Sequence, residues 1–404
     1  MSPLALPPDA RTDDPAAPVL DRCLELVEDL HFTAVARWKE RHPGQLAIGY
    51  LPVYVPRPVL EAQGILPVGI FGGGDQLEII RGDSYFQSYI CHIPRSVVEL
   101  GLRGNLDILD GAIFPSTCDV IRNLGGVWRM LFPDSYVAYF DLPQNFDLEL
   151  GGRFYAAEMR RIARELEARG ARPLTTEGLE HAIDAENQRR RALLHLEELR
   201  RREPWRLLAS EAYLATRAGT VIPTEEHTRL LHELGEAIAR RDARAYDNVR
   251  VVVQGSFCEQ PPLALIRALE RAGCYIVDDD FQLGLQLVEG EIVTGEGAGD
   301  LVDAVARAFL ERGATTATRY IGNHEKGADL VARVRRCDAD GVIFAAASFC
   351  DPALLDRPML EAALDRAGIP HTSFKFSENT GQFQVIREQA GAFSDSVKLW
   401  GATA

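Results

Sequence analysis

Lysine is nearly missing from this chain: only four of its 44 basic residues are lysine, and the rest are arginine. Positive charge is outweighed overall, and a formal net charge of -15 at pH 7 makes a nucleic-acid backbone a poor main partner. No apolar run approaches the length that spans a bilayer. Residues 1–18 have neither the basic start nor the apolar core of a leader, so they read as a disordered tail and the expected location is the cytoplasm. Phosphate-binding motifs are also wanting. There is no P-loop, so ATP hydrolysis by this chain itself is not expected. Gly72-Gly73-Gly74-Asp75 lacks the spacing of a dinucleotide fingerprint, and residues 295–300 are glycine-rich but acidic. The absence of a Gly-x-Ser-x-Gly elbow removes support for serine hydrolase chemistry. Cys-x-x-Cys pairs are missing too, which disfavours structural zinc and the local ligand runs of ferredoxins.

What is present is the composition of a globular protein, 46% apolar and 25% charged, in 404 residues. That length suits two lobes better than one core. Apolar runs at 46–51, 65–71 and 108–114 alternate with helical patterns, as do runs at 249–253, 274–277 and 341–345. Between them the sequence turns to charged helical periodicity, with helices expected over 158–168, 180–208 and 225–241. The expected fold class is therefore α/β, with two duplicated parallel-sheet, Rossmann-like lobes joined by a helical segment. The corresponding divisions are a tail at 1–18, a first lobe at 19–150, a helical bridge at 151–245 and a second lobe at 246–404.

The duplication is most visible around two cysteines. Asp110-Gly111-Ala112-Ile113-Phe114 is followed by Pro115-Ser116-Thr117-Cys118-Asp119. Asp340-Gly341-Val342-Ile343-Phe344 is followed slightly later by Ser348-Phe349-Cys350-Asp351. Each pair falls where a buried strand ends and a helix should start, the edge at which open α/β sheets place ligands. A thiolate is favoured at a helix N-terminus and is the form that binds iron. Cys118 and Cys350 are thus candidate metal ligands, against the plainer reading of two buried structural cysteines. Cys91, in the polar stretch 88–96, and Cys258, directly after the strand 249–253, also occupy strand-to-helix connections. Cys23, Cys274 and Cys337 fit core filler. The aspartates Asp119 and Asp351 are expected to cap helices. An arginine run (Arg189, Arg190, Arg191, Arg200, Arg201, Arg202 and Arg206) is open to two readings. It meets a partner or coenzyme A phosphates, or it is a solvated helix face paired with Glu186, Glu197, Glu198 and Glu203.

Several longer stretches carry a resemblance. They are Tyr50-Leu51-Pro52-Val53-Tyr54-Val55-Pro56, residues 81–91 (RGDSYFQSYIC), Pro115-Ser116-Thr117-Cys118-Asp119, Phe140-Asp141-Leu142-Pro143-Gln144-Asn145 and Ser348-Phe349-Cys350-Asp351-Pro352. Together, from about residue 46 to the C-terminus, the chain resembles the benzoyl-CoA reductase and 2-hydroxyacyl-CoA dehydratase family. It is nearest the smaller cluster-bearing subunit of the ATP-dependent reductases. The resemblance implies one [4Fe-4S] cluster between the lobes, held by Cys91, Cys118 and Cys350, with Cys258 as a candidate fourth ligand. It also implies a larger cluster-bearing sister subunit, two ATP-hydrolysing activator subunits, reduced ferredoxin as electron source and an acyl-CoA substrate. His92 departs from the arginine expected after the first ligand, which bears on hydrogen bonding around the cluster. A dehydratase subunit and a cluster-free scaffold subunit are the alternative readings.

Overall fold

In the computed structural model, residues 13–51, 53–257, 261–281, 285–295, 300–318, 327–377 and 383–400 are described. Four strands, β1 (Ala47–Tyr50), β2 (Leu66–Gly69), β3 (Gly111–Pro115) and β4 (Tyr136–Phe140), form one sheet in the order β2-β1-β3-β4. Four more, β5 (Val249–Gln254), β6 (Cys274–Asp279), β7 (Gly341–Ala347) and β8 (His371–Phe376), form a second in the order β6-β5-β7-β8. Every pairing within these two sheets is parallel. The two sheets thus share one strand order, and the expected duplicated α/β class is what the chain adopts.

The duplication extends to single hydrogen bonds. Asp110, just before β3, donates its N–H to the Ala47 carbonyl at 2.9 Å and accepts the Ala47 N–H on its carboxylate at 2.8 Å. Asp340, just before β7, makes the same pair of bonds with Arg250, both at 2.7 Å. β3 and β7 are buried at every residue, which is why each reads as an unbroken apolar run. β7 has seven residues to the five of β3, and this accounts for the later arrival of its cysteine.

Helices α1 (Ala17–Glu28), α2 (Thr33–Arg41), α3 (Arg57–Ala62), α4 (His92–Leu102) and α5 (Asp119–Leu131) belong with the first sheet. Next come α6 (Arg153–Glu167), α7 (Thr176–Arg202), α8 (Ala209–Ala218) and α9 (Thr224–Arg240). The second sheet carries α10 (Leu263–Arg271), α11 (Leu301–Arg312), α12 (Ala328–Arg336), α13 (Asp351–Arg366) and α14 (Phe383–Trp400). No described helix is long and apolar enough to cross a membrane.

One apolar core runs through both sheets, holding Ile48 and Ile113 of the first with Val251 and Ile343 of the second. Phe140, Tyr155 and Phe309 form its aromatic row, with ring centroids 5.5 and 4.9 Å apart. Tyr54, past β1, meets Thr316 of the second lobe at 2.8 Å through their hydroxyls.

Helix α7 ties the halves together with charge. Near its middle, Glu186 pairs with Arg189 and with Arg190 at 2.9 Å, beside an Arg57–Glu61 pair at 3.0 Å contributed by α3. Near its end, Arg200 pairs with Asp279 at the end of β6. The solvated-face reading of the arginine run therefore needs correcting. Arg189, Arg190 and Arg200 are 0, 8 and 6% exposed, each with an internal carboxylate, while Arg191 and Arg202 remain at the surface. A pattern of charge every few residues cannot distinguish a helix facing water from one packed against acidic strand ends.

Candidate functional site

The first two candidate cysteines occupy equivalent places. Ser116 follows β3 and donates its N–H to Phe140, the last residue of β4, at 2.9 Å. Ser348 follows β7 and does the same to Phe376, the last residue of β8, at 2.7 Å. One residue intervenes, and then Cys118 and Cys350 sit at the N-cap positions of α5 and α13. β3 and β7 are central strands beside which the chain order reverses, so both helix starts lie at the crevice where such sheets bind ligands. Cys91 is the N-cap residue of α4. All three cysteines named by the family resemblance thus open a helix. The aspartates expected as caps stand one place further on, as the first helical residues, where their charge still suits the helix dipole.

The Cys118 thiol is pushed up by burial, opposed by the backbone N–H groups of Ile121 and Val120 and reinforced by the nearby Cys350 thiol. The two lobes therefore bring these cysteines into each other's field. Cys350 is buried and Cys118 and Cys91 are half-buried. Phe349, just before Cys350, holds a left-handed backbone at φ +66° and leaves its ring half-exposed. Such strain in a bulky residue belongs to positions fixed by their surroundings. Its first-lobe counterpart, Thr117, is buried, and its hydroxyl has no hydrogen-bond partner among the described residues. The neighbouring Ser116 hydroxyl is occupied, accepting the Leu142 N–H at 2.8 Å.

Cys258 lies outside the described residues. The turn leading toward it is built on Asp280, a buried carboxylate that accepts the N–H groups of Gly255 at 2.7 Å and Ser256 at 3.0 Å. Burial pushes the Asp280 carboxyl up to about 6 despite those two N–H groups. Gly255 takes φ +102°, a conformation open to glycine and costly to other residues.

Among the described residues, no three His, Cys, Asp or Glu side chains are gathered closely enough to hold a metal ion. That grouping is the signature of a single ion. In an iron–sulfur cluster the thiolates ligate different irons and stand further apart. The donor chemistry fits such a cluster, with thiols at helix N-termini and two of them within each other's field.

Sequence reasoning missed a cleft of about 830 Å³ at the end of β6, lined by Glu197, Arg201, Gln254, Asp278, Asp280 and Arg333 among others. Its signal was the acidic triplet 278–280 at a strand's carboxyl end. Burial, with Asp278 and Asp279 nearby, pushes Glu197 up to about 7. Of the cysteines read as filler, Cys23, Cys274 and Cys337 are all buried, and the Cys337 thiol donates to Asp278 at 3.1 Å.

Fold and site together define a duplicated α/β protein that presents cysteines at the starts of sheet-edge helices. The chain belongs to the family described as 2-hydroxyglutaryl-CoA dehydratase, D-component, whose sequence profile matches residues 52–397. It is 49% identical over 385 residues to a benzoyl-CoA reductase subunit of Thauera aromatica, covering 95% of this chain and 99% of that one. It is 26% identical to the (R)-phenyllactyl-CoA dehydratase beta subunit of Clostridium sporogenes, over 88% of this chain and 92% of that one. With the (R)-2-hydroxyglutaryl-CoA dehydratase beta subunit of Acidaminococcus fermentans the identity is 27%, over 90% and 95% respectively.

Proposed function

We propose that this chain is the smaller cluster-bearing subunit of an ATP-dependent benzoyl-CoA reductase, which reduces the aromatic ring of benzoyl-CoA by two electrons to cyclohexa-1,5-diene-1-carbonyl-CoA. The observation that carries this reading is the near end-to-end similarity to a reductase subunit, nearly twice that to the dehydratase subunits. Cys91, Cys118 and Cys350 are the proposed ligands of one [4Fe-4S] cluster, and Cys258 is the proposed fourth. When bound, the cluster supplies one-electron transfer at low potential.

The chain's own part is to hold and tune. Burial keeps the Cys118 thiol protonated in the metal-free chain, so loading must release that proton. Helix-start N–H groups then stabilise the thiolate charge. The proposed partners are a larger sister subunit that also bears a cluster, two ATP-hydrolysing activator subunits and reduced ferredoxin. The proposed location is the cytoplasm.

The test is anaerobic reconstitution with those partners, ATP and a low-potential reductant. Benzoyl-CoA should be converted to the cyclic diene with ATP consumed. Turnover of a 2-hydroxyacyl-CoA in its place would move the chain to the dehydratase branch. For Cys258, a Cys258→Ser chain should show altered cluster spectra, and spectra matching the parent would remove it as a ligand.

A further inference from the structure

Cys91 differs from the other two cysteines in having no strand directly before it. It ends a segment without strand or α-helix, residues 78–91, that crosses the surface after β2 and exposes Ile80, Tyr85 and Tyr89 while Phe86 packs against the first lobe's core. With so much of its apolar surface exposed, the segment needs ties other than packing to fix the side chain at its end. The structure supplies one such tie, and it lies on α4.

Glu99 sits in the apolar part of α4 and is 1% exposed. Its Oε2 accepts three successive backbone N–H groups, those of Ile80 at 3.1 Å, Arg81 at 2.7 Å and Gly82 at 2.9 Å. Its Oε1 accepts from Arg103 Nε at 2.8 Å. Converging N–H groups make an anion-binding nest, and here the anion is the protein's own carboxylate. Gly82 makes the approach possible: a Cβ there would stand 2.2 Å from the Arg95 carbonyl oxygen. Arg95 adds a second tie, pairing with Asp83 at 2.9 Å and reaching the Cys91 carbonyl through Nε at 3.4 Å. The helix that Cys91 opens therefore grips, two turns further on, the segment that delivers Cys91.

We infer that Glu99 is a positioning residue for the Cys91 thiol, holding residues 80–82 against α4 so that the chain reaches the helix N-cap in one geometry. Its role in ligation rests on the proposed function, while the clamp itself does not. Burial opposes the charged form of Glu99, but the Arg103 and backbone N–H contacts outweigh it and hold the carboxyl down at about 2. The clamp therefore stays charged at neutral pH.

The test compares the full chain with Glu99→Ala and Glu99→Gln in two measurements. The first is alkylation by iodoacetamide in the metal-free state, mapped to each cysteine by mass spectrometry. Cys91 should react several-fold faster in Glu99→Ala, with Cys118, Cys350 and the buried Cys23 and Cys274 unchanged. Glu99→Gln, which keeps an acceptor oxygen, should restore most of the parent's protection. Equal rates at Cys91 overturn the inference, and so does a rise at every cysteine, which reports general unfolding. The second measurement is iron content and EPR after anaerobic purification, where Glu99→Ala should lose at least half of the parent's iron and Glu99→Gln should regain it. A parent without iron removes the ligand role of Cys91 and leaves the clamp to the alkylation result. A parent with iron and a Glu99→Ala chain with equal iron and the same EPR signal overturn the positioning role.

Discussion

Thr117 and Ser116 are adjacent hydroxyl residues with opposite expected costs. The buried Thr117 hydroxyl has no partner among the described residues, and a hydroxyl in that condition costs about 1–3 kcal/mol. Thr117→Val should therefore leave the metal-free chain equally stable or up to about 2 kcal/mol more stable in urea unfolding. Ser116→Ala removes the shorter of the two hydrogen bonds of the Leu142 N–H, leaving the one to Asp141 Oδ1 at 3.1 Å, and should cost about 0.5–1 kcal/mol in the same assay. Two carboxyls give opposite pH dependences. Glu99 is held down from 4.5 to about 2, so its stabilisation is present above pH 4.5 and disappears as pH falls toward 2. Asp280 is raised from 3.8 to about 6, so the folded state binds the extra proton and stability falls as pH rises from about 4 to 6. Glu99→Gln should flatten the acid limb of a stability–pH curve, and Asp280→Asn the limb between 4 and 6. Curves that match the parent's would contradict both assignments. The candidate cysteines were legible in the sequence because a thiol beside a polar turn after an apolar run is unusual. Glu99 and Asp280 were not, because their partners are backbone N–H groups that leave no mark on composition.

At the scale of elements, the six buried strands announced themselves as apolar runs, but β4 and β8 did not. β4 alternates buried with half-buried residues, and β8, with His371 and Lys375, is partly exposed at the sheet edge. Edge position alone is not the reason, since β2 and β6 are edge strands too and are largely buried; at β4 and β8 one face is left partly open, so polar residues are tolerated there. The long charged helix was foreseen over 180–208, whereas α7 ends at Arg202 and a separate α8 follows. The direction of its arginines was beyond the sequence, since burial there depends on Asp279 from another lobe. Arg200→Ala would leave the largely buried Asp279 carboxylate without its cation, holding the Phe281 N–H at 2.9 Å, at a cost of about 3 kcal/mol. Arg202→Ala, at the surface, should cost under about 1 kcal/mol. Denaturant midpoints for the two variants that coincide would contradict this division of α7 into a buried face and a solvated one.

For the whole molecule, the duplication was the most legible feature, because two copies of one strand-to-cysteine passage repeat the same constraints. The structure carries the repeat to strand order and to the paired Asp110 and Asp340 bonds. The sequence alone could not show how the lobes meet, since that depends on side chains such as Tyr54, Phe309 and Thr316 that are far apart along the chain. Their meeting sets Cys118 and Cys350 in one another's field, and the proposed cluster depends on these thiols together with Cys91. The most direct measurement is iron and acid-labile sulfide analysis with EPR on the anaerobically purified full chain, alongside Cys118→Ser and Cys350→Ala. About four irons and four sulfides per chain are expected in the parent, and their loss in both variants. A parent that is folded, colourless and free of iron would contradict it, leaving the cysteines structural and the chain a scaffold.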